Sequence, residues 1–190
     1  MSNMIFNNKA LEILENFAGD YNKKVYGRDI AKKLNMNQKT VSNILNKLEK
    51  EHILKFSIEG KNKYYYLNNL NLSLKEIIKL IEINRKIRFI ERYKKFRDLF
   101  NKLEVLSEGI IVIFGSYANF SANEKSDLDV LVIGNQQEIK GLEQLYNVKI
   151  NAVKIDKKKF NKADTFIKEI IKNHIVLKGV EEFIELIWQA

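Results

Sequence analysis

The chain of 190 residues has no cysteine. That absence excludes a disulfide frame, a thiolate metal site and a thiol nucleophile. No apolar run approaches the ~18 residues that a bilayer-spanning helix needs. Residues 1–6 carry no charged-then-apolar leader pattern, so a cytoplasmic protein without membrane association is expected. Histidine is scarce: His52 and His174 are solitary in the sequence, and neither is read as a metal ligand or a base. What is present suits a folded protein. Hydrophobic residues make up 45% and charged residues 30%, which argues against wholesale disorder.

The net charge of +9 is unevenly placed. Residues 1–72 and residues 73–106 are each net +5, while residues 107–190 are net −1. A basic half beside a near-neutral half points to one nucleic-acid-facing part and one part with another task. Solvated lysine-rich helices account for the same charge equally well.

The first seventy residues change period once. Leu11, Ile13, Leu14 and Phe17 have helical spacing, and Gly19 and Asp20 end that segment. A second helix is expected over residues 29–34, burying Ile30, Ala31 and Leu34. A third is expected over residues 38–51, burying Val41, Ile44, Leu45 and Leu48, with Asn37 as its N-cap. Then alternation takes over: Leu54, Phe56 and Ile58 point one way, a turn follows at residues 60–63, and Tyr64, Tyr65, Tyr66 and Leu67 return. That is a hairpin. The order resembles the winged helix-turn-helix family over about residues 4–70. The resemblance implies duplex DNA as a partner and makes the third helix the recognition helix. Its exposed Gln38, Lys39, Thr40, Ser42 and Asn43 would face bases and phosphates, and Lys61 and Lys63 on the wing would face the backbone or minor groove. Winged helices that only bind proteins are the alternative.

Residues 73–106 read as a connecting helix. Ser73 and Glu76 have capping-box spacing, and neither glycine nor proline occurs from residue 74 to residue 103. Ile83, Ile87, Ile90, Tyr93, Phe96 and Phe100 form a stripe near heptad spacing, so a homodimer or packing on both flanking parts is expected.

The strongest signal begins at Gly109. Ile110, Ile111, Val112, Ile113 and Phe114 form an apolar strand that ends at Gly115 and Ser116. Ten residues later come Asp127, Leu128 and Asp129, leading into the apolar run Val130, Leu131, Val132 and Ile133. Alternate strand residues share a face, so Asp127 and Asp129 present two carboxylates together while Leu128 enters the core. Two such oxygen donors suit Mg²⁺. Gly115 allows phosphate close to the backbone, and Ser116 can hydrogen-bond a phosphate oxygen. This pattern resembles the DNA polymerase β-type nucleotidyltransferase superfamily, in its minimal nucleotidyltransferase branch. The resemblance implies Mg²⁺ and a nucleoside triphosphate such as ATP, with Asp127 and Asp129 as catalytic and metal-binding residues and Gly115 and Ser116 as nucleotide-binding residues. In that branch the acceptor is often a partner protein, typically of the HEPN type. Three positions depart from the family. Asn119 and Phe120 stand where Arg-Gly is usual, and Asn151 stands where a third acidic residue is expected. An asparagine oxygen can ligate a metal but is a poor proton acceptor. Asp156 lies past the strand as a weak substitute.

The fold class expected is α/β (α+β): a winged helix over 1–72, a connecting helix over 73–106, and a small nucleotidyltransferase-like domain with a mixed sheet over 107–190. Two functions remain open. One is a DNA-binding protein whose transferase domain binds Mg-NTP and transfers a nucleotidyl group. The other is a transcriptional regulator whose inactive transferase domain senses nucleotide or mediates assembly.

Overall fold

A computed structural model describes residues 8–136, 139 and 141–188. The chain divides into two compact units, residues 1–81 and residues 82–190. No helix among the described residues is long and apolar enough to cross a membrane.

The first unit starts with α1 (Asn8–Leu14), which a 3-10 turn extends to Phe17. It continues with β1 (Val25–Tyr26), α2 (Gly27–Lys33), α3 (Gln38–Lys50), β2 (Leu54–Glu59) and β3 (Asn62–Leu67). The three strands pair antiparallel in the order β1-β3-β2. Asn37 caps α3: its side-chain oxygen accepts from the Lys39 and Thr40 amides, relieving two otherwise unpaired donors. Ile13, Leu14, Phe17, Ile30, Val41, Leu45 and Leu48 are buried and form the helical side of this core.

The hairpin differs from its sequence reading in two ways. Its turn is shorter, because Glu59 pairs with Asn62 and leaves Gly60 and Lys61 as the whole connection. Gly60 takes a positive φ of 61° there, as two-residue hairpin turns demand. The apolar alternation of β2 also does not mark a buried face throughout. Leu54 is buried, but Phe56 and Ile58 are exposed. The Lys63 ammonium lies 3.9 Å from the centre of the Phe56 ring, so a cation covers part of that surface.

Helix α4 (Leu74–Arg92) crosses the boundary between the two units. The segment expected as one helix to residue 103 is broken. Tyr93 leaves helical geometry at φ −110° and ψ 40°, a 3-10 turn follows over Lys94–Phe96, and α5 (Arg97–Val105) resumes. No proline or glycine causes the break. On both sides of the break the buried side chains serve one core, which takes in Phe89, Tyr93, Phe96, Leu99, Phe100 and Leu103. Ile83 and Ile87, the start of the expected stripe, stay largely exposed.

The second unit then forms β4 (Ser107–Phe114), α6 (Gly115–Ala118), β5 (Leu128–Gln136), α7 (Leu142–Tyr146), β6 (Ile150–Ile155), α8 (Thr165–Lys172), β7 (Ile175–Lys178) and α9 (Val180–Ile187). Residue 136 belongs to β5, and residues 137, 138 and 140 lie outside the described set. The sheet order is β6-β5-β4-β7. β5 and β6 are parallel and the other pairs antiparallel, so the sheet is mixed. One face buries Ile111, Ile113, Leu128, Val130 and Val132 in the core shared with α5. The neighbouring strand positions Phe114 and Asp129 point to the opposite face, by the two-residue period of the strand.

A polar cluster is buried in this unit. Glu82 and His174 are fully buried. The Arg85 guanidinium donates to both Glu82 oxygens, at 3.0 and 2.8 Å, and to the His174 carbonyl. His174 Nε2 is 3.4 Å from Glu82 Oε2, and its Nδ1 is 2.7 Å from the Ile171 carbonyl.

Candidate active site at the end of the mixed sheet

Strand register assembles the site. Phe114, the last residue of β4, lies opposite Asp129 on β5, and Asp129 lies beside Asn151 on β6. Asp127 immediately precedes β5. The Asn151 amide bridges the two carboxylates, donating to Asp127 Oδ2 at 3.3 Å and to Asp129 Oδ1 at 3.0 Å. Lys149 Nζ also donates to Asp127 Oδ2, at 2.9 Å. Donation from Lys149 and then from Asn151 holds the Asp127 carboxyl below its usual range, and the hydrogen bond to Asp127 raises Lys149.

Gly115 turns the chain from β4 into α6 at φ +67°. A Cβ at this position would overlap the Asp129 carboxylate. Both facts favour glycine: the backbone sits in the left-handed region, and the acid occupies the space a side chain would fill. Ser116 follows, and its carbonyl accepts the Ser121 and Ala122 amides, which closes the loop towards Asp127.

The four sequence-predicted residues of this site thus converge: Gly115 against Asp129, Ser116 next to it, and Asp127 joined to Asp129 through Asn151. The donor set is two carboxylates and one amide. Among the described residues no group of three or more His, Cys, Asp or Glu is placed to hold a metal. Asp156 is not a third member. It caps the 3-10 turn Lys157–Lys159 through the Lys158 amide. It also follows the end of β6, five residues past Asn151, or about 16 Å at strand rise. Lys149 is the residue at this corner that sequence reasoning missed. Its contact with Asp127 depends on β6 pairing parallel to β5, and no local motif marks it.

The family model described as "Polymerase beta, Nucleotidyltransferase" matches residues 94–182. This segment is a polymerase beta-type nucleotidyltransferase domain. An uncharacterized protein of Methanocaldococcus jannaschii is 33% identical over 97 residues, which is 51% of this chain and 18% of that protein. The chain therefore spans less than a fifth of that relative's length. Among solved structures, the crystal structure of a toxin-antitoxin with AMP-PNP is 17% identical with a TM-score of 0.34. That likeness covers 54% of this chain and 77% of the other. The nucleotidyltransferase domain begins at the 3-10 turn after α4 and ends within α9, so it contains the whole mixed sheet and every residue of the acidic corner.

The predicted DNA-facing residues lie in the first unit. Gln38, Lys39, Ser42 and Asn43 are exposed on the first turns of α3, and Thr40 is half-buried. Lys61 is exposed at the hairpin turn. Lys63 is differently placed. Its ammonium donates to Asn46 at 3.0 Å and lies over the Phe56 and Tyr65 rings.

Proposed function

We propose that the nucleotidyltransferase domain binds a nucleoside triphosphate with Mg²⁺ at the Asp127–Asp129 corner, and that the first unit is a winged helix that binds duplex DNA. The observation that carries the first part is the convergence of two carboxylates beside a glycine turn, one of them filling the place of the missing Cβ. The donor set fits Mg²⁺, which keeps waters and borrows oxygens from its substrate's phosphates. Asp127, Asp129 and the Asn151 amide oxygen would hold it. When bound, the ion would neutralise phosphate charge and polarise the phosphorus centre. The chain's own groups do the rest. Gly115 lets the Asp129 carboxylate close on the backbone turn, the Ser116 hydroxyl donates to a phosphate oxygen, and the Lys149 ammonium adds a positive charge beside Asp127.

Transfer to a hydroxyl acceptor, on a partner protein or another molecule, requires a group that takes the hydroxyl proton. Asn151 occupies the family's third acidic position and already donates both amide hydrogens. This favours a second reading, in which the domain binds nucleotide without turnover and regulates what the DNA-binding unit does. The exposed first turn of α3 supports DNA binding, and exposed Ile83 and Ile87 on α4 support self-association into a homodimer.

Calorimetry with Mg-ATP tests the nucleotide reading. The double variant Asp127→Asn, Asp129→Asn removes both charges that hold the cation, so Mg²⁺-dependent affinity should disappear. Equal affinity in wild type and double variant would reject the site. A transfer assay with labelled ATP separates the two readings: brisk wild-type transfer rejects the non-catalytic one.

A further inference from the structure

A cavity of about 310 Å³ opens beside the acidic corner. It is lined by Phe114, Gly115, Asn119, Phe166, Glu169, Ile170 and Asn173. Its position follows from the sheet. Phe114 and Asp129 are directly opposite on antiparallel strands, so their side chains stand on the same face. One wall of the cavity is thus the immediate neighbour of a carboxylate, and its floor is the Gly115 turn. The volume lies at the low end of small-molecule sites and suits one ring system better than a whole nucleotide.

The lining selects what enters. Phe166 is 43% exposed, an unusual state for a phenylalanine on a helix with a strong apolar face. Asp164 caps α8 through the Phe166 and Ile167 amides, which fixes the start of the helix and with it the Phe166 backbone. Phe114 meets the Phe166 ring edge-on, with centroids 5.7 Å apart at 89°. One ring is therefore braced by the other and leaves surface for a flat ligand. The charged side chain in the lining is Glu169, whose Oε1 is ion-paired with Lys172 at 2.5 Å, so its second oxygen is left as an acceptor for a neutral ring carrying N–H donors. Asn119 and Asn173 supply groups that both donate and accept. Asn173 is oriented by donating to the Gly115 carbonyl at 3.5 Å.

We propose that this cavity is the base subsite of the nucleotide site: the nucleobase stacks on Phe166 while the phosphates extend over Gly115 towards Asp127 and Asp129. The proposal rests on the Mg-nucleotide reading given above and specifies where the base goes. Base stacking on an aromatic side chain is worth a change of roughly five- to a hundredfold in affinity.

The test is calorimetry on the full chain with two probes, Mg-ATP and Mg-tripolyphosphate. The second carries the phosphates and no base. Wild type should bind ATP about tenfold more tightly than tripolyphosphate. Phe166→Ala should weaken ATP about tenfold and leave tripolyphosphate unchanged, and Phe166→Trp should restore ATP binding. The exposed ring makes Phe166→Ala a mild change for folding, and an unaltered melting curve checks it. If Phe166→Ala leaves ATP binding intact, or weakens both probes alike, the subsite is overturned. If wild type binds both probes equally, the subsite falls while the phosphate site stands. If neither probe binds, the nucleotide reading itself fails and takes the subsite with it.

Discussion

At the scale of single residues, the acidic corner is a question of charge. Two carboxylates and one ammonium leave a net charge of one negative, where three carboxylates would leave three. A divalent cation bound as proposed would compete with Lys149 for Asp127 Oδ2. Removing that ammonium should tighten divalent-ion binding and release Asp127 upwards in pKa, because donation from Lys149 is the largest cause holding it down. The sign is fixed: a depressed carboxyl is favourable at pH above its unfolded value, and that gain is lost as the pH falls through the folded one. Carboxyl-detected NMR on Lys149→Met should show the Asp127 midpoint moved up, and Mn²⁺ binding should strengthen by about tenfold, from the Coulomb energy of one charge beside a divalent ion in a water-like medium. An unmoved midpoint would show that the ion pair is not formed in solution. The sequence made Gly115, Ser116, Asp127 and Asp129 legible because their spacing is local. Lys149 was not legible, because strand pairing alone brings it to Asp127.

At the scale of elements, the break at Tyr93 shows what a hydrophobic stripe cannot say. Ile83, Ile87 and Ile90 continue into Tyr93, Phe96 and Phe100 at near-heptad spacing, yet the buried residue of α4 in this core is Phe89. The stripe is two short faces in series, and the sequence does not mark where one helix stops. The Glu82–Arg85–His174 cluster was equally hidden. His174 looked solitary because its partners are about ninety positions away in the chain. Such a cluster is costly to break. Arg85→Ala leaves a fully buried Glu82 without its main counter-charge, so unfolding stability should drop by about 3 kcal/mol, read from the shift in urea midpoint. The isosteric Glu82→Gln with Arg85→Met should recover part of that loss, since it removes both charges together. A loss under about 0.5 kcal/mol for Arg85→Ala would mean that water reaches Glu82. The Asn37 cap was legible from a single residue: it accepts the Lys39 and Thr40 amides, because an N-cap is a contact between near neighbours.

At the scale of the whole molecule, the positive charge sits before residue 107 and the nucleotidyltransferase sheet comes after it. The proposed DNA contacts on α3 and the hairpin turn are mostly backbone-directed cations and short polar side chains, so binding should be strongly salt-dependent. Sedimentation of the full chain with a labelled duplex, across a salt series, reads affinity and stoichiometry together. Affinity should fall at least tenfold between about 50 and 200 mM salt, and Lys39→Ala with Lys61→Ala should flatten the slope by roughly two counterions. Lys63→Ala should change the slope less, because its ammonium is engaged with Asn46 and two aromatic rings. A duplex affinity insensitive to salt would reject the DNA reading. Two protein chains per duplex would support the homodimer, and a monomer at micromolar concentration would reject it.

The register of β5 and β6 also bears on descent. Asn151 already touches both carboxylates, so aspartate at that position would complete a triad without any movement of the backbone. Asparagine and aspartate codons differ by one base. A lineage carrying this sheet therefore stands a single nucleotide change from a three-acid corner, and can cross in either direction without rebuilding the fold.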